Sequence, residues 1–146
     1  MKKLCKILAC FFCMALSVSC FADGKMIPVE SLPEAVKSFV AAHFPDKNII
    51  YVEMEHELSG PRYEVRLNDG SKVDCNKKGE WDKVDCKMLP VPAALVPAEI
   101  AGFVSAQYPG AQIVKIDKER YGFEIELSNS LELKFNKKGQ LISIDD

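Results

Sequence analysis

The tetrapeptide NKKG occurs at Asn76–Gly79 and again at Asn136–Gly139, sixty positions later. Each copy lies between two short runs in which apolar and polar residues alternate. Asparagine at the first position and glycine at the last are typical of a tight hairpin turn, because glycine adopts positive φ at little cost. The lysine pairs are then solvated turn residues. The predicted hairpin strands are 71–76 and 80–86 in the first copy, and 131–136 and 140–145 in the second.

The similarity between the two halves of the chain extends beyond these turns. Four residues of the first copy, at the loop around Ser59–Pro61, are missing from the second. The aligned segments are Leu32-Pro33 with Val96-Pro97, Phe44-Pro45 with Tyr108-Pro109, Tyr63–Leu67 with Phe123–Leu127, and Val84-Asp85 with Ile144-Asp145. This self-similarity predicts a duplicated unit. The predicted boundaries are a first repeat at 31–86, a Pro-containing linker at 87–95 and a second repeat at 96–146.

Each unit combines a helical pattern with strand patterns. Pro33 favours a helix start, because its missing N–H is not needed in the first turn, and Pro45 stops the helix. Val36, Phe39 and Val40 recur at helical spacing, whereas the later runs alternate with a period of two. The expected fold class is α+β, with two tandem repeats that each consist of a helix followed by a four-stranded antiparallel meander. The helices are expected on one face of the sheet, and the pattern leaves open one continuous sheet or two.

The N-terminus predicts export from the cytoplasm. Lys2, Lys3 and Lys6 precede an apolar run from 7 to 18, and small residues follow up to Ala22. This pattern is typical of a signal peptide at 1–22, since the run is too short to span a bilayer. Cleavage after Ala22 is expected to leave no transmembrane segment. The alternative is a lipobox that ends in Cys20, which would anchor the protein to the outer membrane by a lipid.

The charge of the mature chain excludes some classes of partner. Loss of Lys2, Lys3 and Lys6 leaves 16 of the 19 basic residues against 21 acidic residues, a formal charge of −5. Nucleic-acid-binding proteins present a basic face, so we expect no nucleic acid partner. An anionic membrane surface is disfavoured for the same reason.

Few residues could carry chemistry. His56 lies in a Glu-rich run, but strand alternation places it on the face opposite to its Glu neighbours, so we expect no metal site and no cofactor. Cys75 faces Glu80 or Trp81 across the hairpin rather than Cys86, and geometry therefore favours buried thiols over a disulfide bond. No nucleophile with a neighbouring base is recognisable, so the protein is not expected to be an enzyme.

The arrangement resembles the PepSY-like, beta-lactamase-inhibitor-like family of secreted Gram-negative bacterial proteins. The residues that carry the resemblance are Leu32-Pro33, Phe44-Pro45, Tyr63-Glu64-Val65-x-Leu67-x-Asp69-Gly70 and Gly79-x-Trp81, with Phe123-Glu124-Ile125-x-Leu127 and Gly139-x-Leu141 in the second copy. The resemblance implies tandem α+β units, similar in shape to the inhibitor that clasps beta-lactamase with its sheet face, and no catalytic residues. Cys75 departs from the pattern, since the family usually has an aromatic residue there, as at Phe135.

The sheet face opposite the helices is the candidate binding surface. Tyr51 and Arg66 alternate onto that face, and these residue types are enriched at binding hot spots. Trp81 joins them if the turn pairs it with Asp74, whereas a bulged register turns it towards the core.

Three functions remain open at this stage. The first is a non-catalytic periplasmic or secreted module that binds an unknown protein through Tyr51, Arg66 and Trp81, with inhibition of that protein as one form of this function. The second is an envelope-associated structural lipoprotein anchored through Cys20. The third is a hydrolase, which would require carboxylates grouped with His56 on one surface.

Overall fold

The computed structural model describes residues 24–146. The predicted signal peptide at 1–22 and the lipidation candidate Cys20 lie outside the described residues. The described part contains two α-helices, two short 3-10 helices and nine strands. The helices are α1 (Glu34–His43) and α2 (Ala98–Gln107), and the 3-10 helices are Val29–Ser31 and Ala93–Leu95. The strands are β1 (Lys25–Ile27), β2 (Ile49–Glu57), β3 (Gly60–Leu67), β4 (Lys72–Asn76), β5 (Trp81–Asp85), β6 (Ile113–Glu119), β7 (Gly122–Leu127), β8 (Glu132–Asn136) and β9 (Leu141–Asp145).

The helices begin and end at the predicted prolines. Pro33 is the N-cap residue of α1, and the N–H of Phe44 closes the last turn on the carbonyl of Val40 at 2.8 Å. Pro45 then stops the helix, because proline disfavours helical backbone at the residue before it. Val36 and Val40 are buried on the side that meets the sheet. Neither helix has the length and hydrophobicity needed to cross a bilayer, within residues 24–146.

The nine strands form one antiparallel sheet, in the order β1 to β9. The predicted fold class of two tandem repeats, each with its own helix and four-stranded meander, is therefore wrong. The described chain is mostly β, with one continuous sheet and only two ten-residue helices. The strand β1, which has three residues and pairs with β2, was not predicted. Three residues are too few to show a recognisable alternation.

The sheet is continuous because β5 and β6 pair with each other. Val84 lies opposite Ile116, and both are fully buried. Backbone pairing continues beyond β5, since the N–H of Cys86 donates to the carbonyl of Val114 at 2.8 Å. Within the predicted linker at 87–95, the N–H of Val91 donates to the carbonyl of Ile113, also at 2.8 Å. Pairing satisfies backbone groups that two separate sheet edges would leave unpaired.

The two faces of the sheet differ in polarity. Every second residue of the central strands is buried and packs with Val36, Val40, Ile100 and Val104 of the two helices in one hydrophobic core. We call the opposite side the open face. The intervening residues point to the open face, and they are mainly charged and partly exposed.

Each NKKG turn lies in close contact with a helix. The side-chain oxygen of Asn76 accepts the N–H groups of Lys78 at 2.9 Å and Glu80 at 3.2 Å. Gly79 has a φ of 76°, and a Cβ there would lie 2.6 Å from the carbonyl oxygen of Ala35 in α1. The glycine therefore serves both the turn and the packing of the hairpin against the helix.

Both cysteines of the described chain are buried free thiols. Cys75 pairs with Tyr63 on one side and with Trp81 on the other, away from Cys86. Burial raises the pKa of Cys75 to about 12 and also raises the pKa of Cys86. Since the thiolate is the reactive form, these two side chains act as small apolar core residues.

Candidate functional site

The open face is built from rows of charged side chains that lie in register across the sheet. Neighbouring strands place these side chains opposite one another, so that each row crosses several strands. One row consists of Glu53, Glu64, Asp74, Lys83, Asp117, Glu124 and Lys134. The adjacent row consists of Tyr51, Arg66, Lys72, Asp85, Lys115, Glu126, Glu132 and Asp145. Carboxylates outnumber cations in both rows, and this face is therefore acidic overall.

Two of the predicted binding residues are in contact at one side of this face. Tyr51 and Arg66 are cross-strand partners, and the guanidinium carbon lies 5.8 Å from the centre of the tyrosine ring. Arg66 Nη2 donates to Glu64 Oε1 at 2.8 Å, and Lys72 Nζ donates to Glu64 Oε2 at 3.0 Å. Burial alone would raise the pKa of Glu64, but the hydrogen bonds from Lys72 and Arg66 lower it. The cluster therefore holds the Arg66 side chain in one orientation over Tyr51.

Trp81 does not share the open face with Tyr51 and Arg66. The hairpin adopts the bulged register, in which Trp81 pairs with Cys75 and Asp82 is the extra residue. The Trp81 ring packs against the hydrophobic core, with the Lys118 ammonium 3.8 Å from its centre. The unbulged alternative, which paired Trp81 with Asp74, is therefore wrong. One inserted residue is enough to turn the following side chain to the other face.

Three aspartates lie together at the centre of the open face. Asp74, Asp82 and Asp117 each have one buried carboxylate oxygen, Oδ1, without a hydrogen-bond partner. With Arg62, Lys83, Lys118 and Glu119 they line a surface depression of about 190 Å³. These aspartates were not predicted as site residues from the sequence. Alternation with buried Val73 and Ile116 marks the faces of Asp74 and Asp117, but the sequence left the bulged and unbulged registers open, and the position of Asp82 depends on that register.

Nearby cations neutralise part of this charge. Arg62 forms ion pairs with Asp82 and, through Nε at 3.2 Å, with Glu57. Lys83 and Lys115 both lie 3.5 Å from Asp117 Oδ2. These contacts use Oδ2, whereas the Oδ1 atoms have almost no exposed area. The lining holds four carboxylates against three cations, so the depression keeps a weak negative charge that favours a cationic group.

Asp74 is the most perturbed of these carboxylates. Burial raises its pKa to about 6, and repulsion from Glu64 and Asp82 adds to the shift. Lys72, at 3.8 Å from Asp74 Oδ2, opposes the shift without cancelling it. The folded protein therefore binds a proton at Asp74 more tightly than the unfolded chain does, so this group stabilises the fold at low pH. That stability is lost as pH rises from about 4 to about 6.

Replacing Asp74 with asparagine is expected to stabilise the protein at pH 8 and to change little at pH 4. At pH 8 the substitution removes a buried negative charge, with a gain on the order of 2 kcal/mol in the free energy of unfolding. At pH 4 the wild-type carboxyl is protonated and resembles the amide. Urea denaturation at both pH values measures the difference.

Asp69→Asn is the control for this experiment. Burial opposes ionisation of Asp69, but the Ser71 N–H at 2.9 Å and Lys47 at 3.5 Å lower its pKa below the ordinary value. Its replacement should therefore destabilise the protein at pH 8. A wild-type protein as stable at pH 8 as the Asp74→Asn variant would contradict the assignment of an unfavourable charge.

The two histidines lie away from the aspartates. His43 is the last residue of α1, where its ring lies 4.6 Å from that of Phe39. His56 pairs with Pro61, two residues beyond Met54, which packs against the core on the helix side. The grouping of His56 with carboxylates that the hydrolase hypothesis required is not observed. Within residues 24–146, no three His, Cys, Asp or Glu side chains are placed to hold a metal ion.

The described chain is a single antiparallel sheet with two helices on one face and a charged open face on the other. The sequence matches the family described as "Putative beta-lactamase-inhibitor-like, PepSY-like" over residues 21–59 and 61–143. The chain therefore belongs to the PepSY-like family, which confirms the resemblance seen in the sequence. Among curated proteins, nothing matches the chain.

Solved structures of Bacteroides proteins share this fold. A periplasmic protein of unknown function from Bacteroides vulgatus is 34% identical, with a TM-score of 0.78 over 84% of this chain and 98% of that one. A Bacteroides thetaiotaomicron protein, described as a "putative calcium-regulated periplasmic protein", is 40% identical, with a TM-score of 0.78 over 85% of this chain and 98% of that one. A second periplasmic protein from B. vulgatus is 37% identical, with the same TM-score and coverage of 85% and 98%.

Proposed function

We propose that this protein is a non-catalytic periplasmic module that binds another protein through the open face. Its family membership, the periplasmic description of its structural relatives and the predicted signal peptide all support this location. The observation that carries the proposal is the acidic open face, where carboxylates outnumber cations in both charged rows and Asp74, Asp82 and Asp117 line the central depression. A surface of this charge attracts a partner that presents cationic side chains.

The charge of the open face defines the chemistry of this partner. A lysine or arginine side chain of the partner fits the acidic depression, because it supplies several N–H donors and offsets the carboxylates. Tyr51 and Arg66 lie on the adjacent row and would contact the partner beside this side chain. Trp81 is not part of this proposed surface, since it packs on the helix side.

The proposal is tested by affinity capture from a periplasmic extract, followed by binding measurements with the purified partner. Wild-type protein is compared with a Tyr51→Ala, Arg66→Ala double variant. We expect the double variant to bind at least about tenfold more weakly, as is usual when a hot-spot pair is truncated. The family description makes inhibition a natural consequence of binding, so the activity of the captured partner, with beta-lactamase as the first case, is measured as well.

A Lys137→Ala, Lys138→Ala double variant is the matched control. These lysines lie in the exposed turn between β8 and β9, away from the Tyr51 side of the open face. The control should bind like the wild type. A partner that binds the Tyr51→Ala, Arg66→Ala variant as tightly as the wild type would contradict the proposed interface, which places Tyr51 and Arg66 in contact with the partner.

A further inference from the structure

The outer edge of β9 is built like an interior position of the sheet. On its inner side, β9 pairs with β8 through Lys134 opposite Ser143 and Phe135 opposite Leu141, with a bulge between the two pairs. The strand β5 pairs with β4 in the same way, with the same bulge position. The difference lies on the outer side, where β5 is covered by β6. Within residues 24–146, no strand pairs with the outer edge of β9.

The exposed side chains of β9 lie at the edge that no strand of the described residues covers. Val84 in β5 has no solvent-exposed area, because Ile116 of β6 lies opposite it. Ile144 occupies the matching position in β9, opposite Leu133, and is 49% exposed. Ile142 in the same strand is 55% exposed. A strand edge with free backbone groups and exposed isoleucines is a template for pairing with a further strand.

We propose that the outer edge of β9 accepts an extended segment of a partner protein as a tenth strand. This mode of recognition combines backbone hydrogen bonds with pockets for alternate side chains. The β5–β6 pair specifies the side chains. An apolar residue of the segment lies opposite Ile144, as Ile116 does for Val84, and a cation lies opposite Asp145, as Lys115 does for Asp85.

The charges on β9 favour such a basic segment over a second copy of this chain. Asp145 ends the strand, and its half-exposed side chain pairs with Lys134 Nζ at 2.8 Å on the inner side only. A two-fold pairing that set Ile144 opposite its own copy would place Asp145 opposite Ser143 of that copy, so the carboxylate would gain no cation on its outer side. In β5 the matching residue, Asp85, has Lys115 in that position. A segment that presents an apolar residue and a neighbouring cation would cover Ile144 with the first and place the second opposite Asp145.

The probe for this inference is a synthetic peptide with the sequence of β6, residues 113–119. Added to the full protein, it should shift backbone amide NMR signals of β9 and β8 only. The same peptide with proline in place of Ile116 should produce no shifts, because proline cannot complete a strand ladder. Ile144→Asp should weaken binding of the β6 peptide at least about fivefold, provided that its spectrum shows an intact fold.

A charge swap tests the register without changing the core. Asp145→Lys should weaken binding of the β6 peptide about threefold and should strengthen binding of a peptide that carries glutamate in place of Lys115 by a similar factor. The Tyr51→Ala, Arg66→Ala variant should bind the β6 peptide like the wild type, so failure at the edge is separable from failure of the open face. The inference would be overturned if the peptide shifts no signals of β9, or if Asp145→Lys leaves the affinities for both peptides unchanged. A dimer that Ile144→Asp disrupts would overturn it in favour of a second copy.

Discussion

Replacement of Phe135 with alanine should lower the free energy of unfolding by about 4 kcal/mol, since removal of a fully buried phenylalanine leaves a cavity that the core fills only partly. Phe135 has no exposed area and is the largest fully buried side chain of the described core. Its ring meets that of Phe103 in α2 edge to face, with 5.4 Å between the ring centres. The substitution therefore removes both strand packing and a helix contact. Denaturation in guanidinium chloride measures the loss.

Cys75→Ala is the matched control for the Phe135 experiment. Cys75 pairs with Tyr63 and Trp81 on its neighbouring strands, as Phe135 pairs with Phe123 and Leu141. It is equally buried, but its side chain is much smaller, so its loss should cost about 1 kcal/mol. Equal losses for the two variants would show that the stability depends on strand position rather than on buried volume.

The second large effect is expected for Gly122→Ala, at the start of β7. Gly122 has a φ of 155°, and a Cβ there would lie 2.2 Å from the carbonyl oxygen of Phe135 and 2.4 Å from the carbonyl carbon of Asn136. Both contacts are with the backbone of β8, which cannot move without breaking its pairing. The loss of stability should be at least about 3 kcal/mol, from strain in the backbone and displacement of the strand. A thermal unfolding scan detects it directly.

Gly60→Ala separates the two parts of this effect. Gly60 begins β3 with a φ of 119°, but a Cβ there meets no atom within 4 Å. Only the backbone conformation is then unfavourable, and the expected cost is about 1 kcal/mol. If Gly122→Ala proves no less stable than Gly60→Ala, the close approach of β8 is not the reason for glycine at position 122.

Local patterns predicted the elements of the fold but not their assembly. Prolines such as Pro33 and Pro45 mark helix ends by backbone chemistry alone, and strand alternation reports which side chains are buried. The pairing of Val84 with Ile116 has no comparable local signal, because a helix and a proline-containing segment lie between the two strands. The prediction of two repeats, each a helix followed by a four-stranded meander, was therefore wrong, and the sequence left the choice between one sheet and two open. The short strand β1 was not predicted, because its three residues are too few to show an alternation of apolar and polar side chains.

The candidate site was likewise predicted only where local patterns determine it. The prediction that Tyr51 and Arg66 share the open face follows from alternation and agrees with their cross-strand pairing. The position of Trp81 depended on the register of one turn, and the extra residue Asp82 decided it. The depression formed by Asp74, Asp82 and Asp117 depends on that bulge and on the β5–β6 pair. Neither of these two features could be predicted from the sequence, so the depression could not be predicted either.

The order of the strands in the sheet follows their order in the chain, and this has a consequence for the route by which the protein folds. Most ladders are hairpins between consecutive strands, and only β1–β2 and β5–β6 enclose a helix. The entropy lost on closing each loop therefore stays small at every step. A sheet of this width can grow by successive addition of neighbours from any hairpin, without waiting for distant segments to meet. Because each of the eight ladders within residues 24–146 joins strands that follow one another directly or across one α-helix, and none joins the two ends of the described chain, we expect the protein to fold faster than sandwiches built from distant strands.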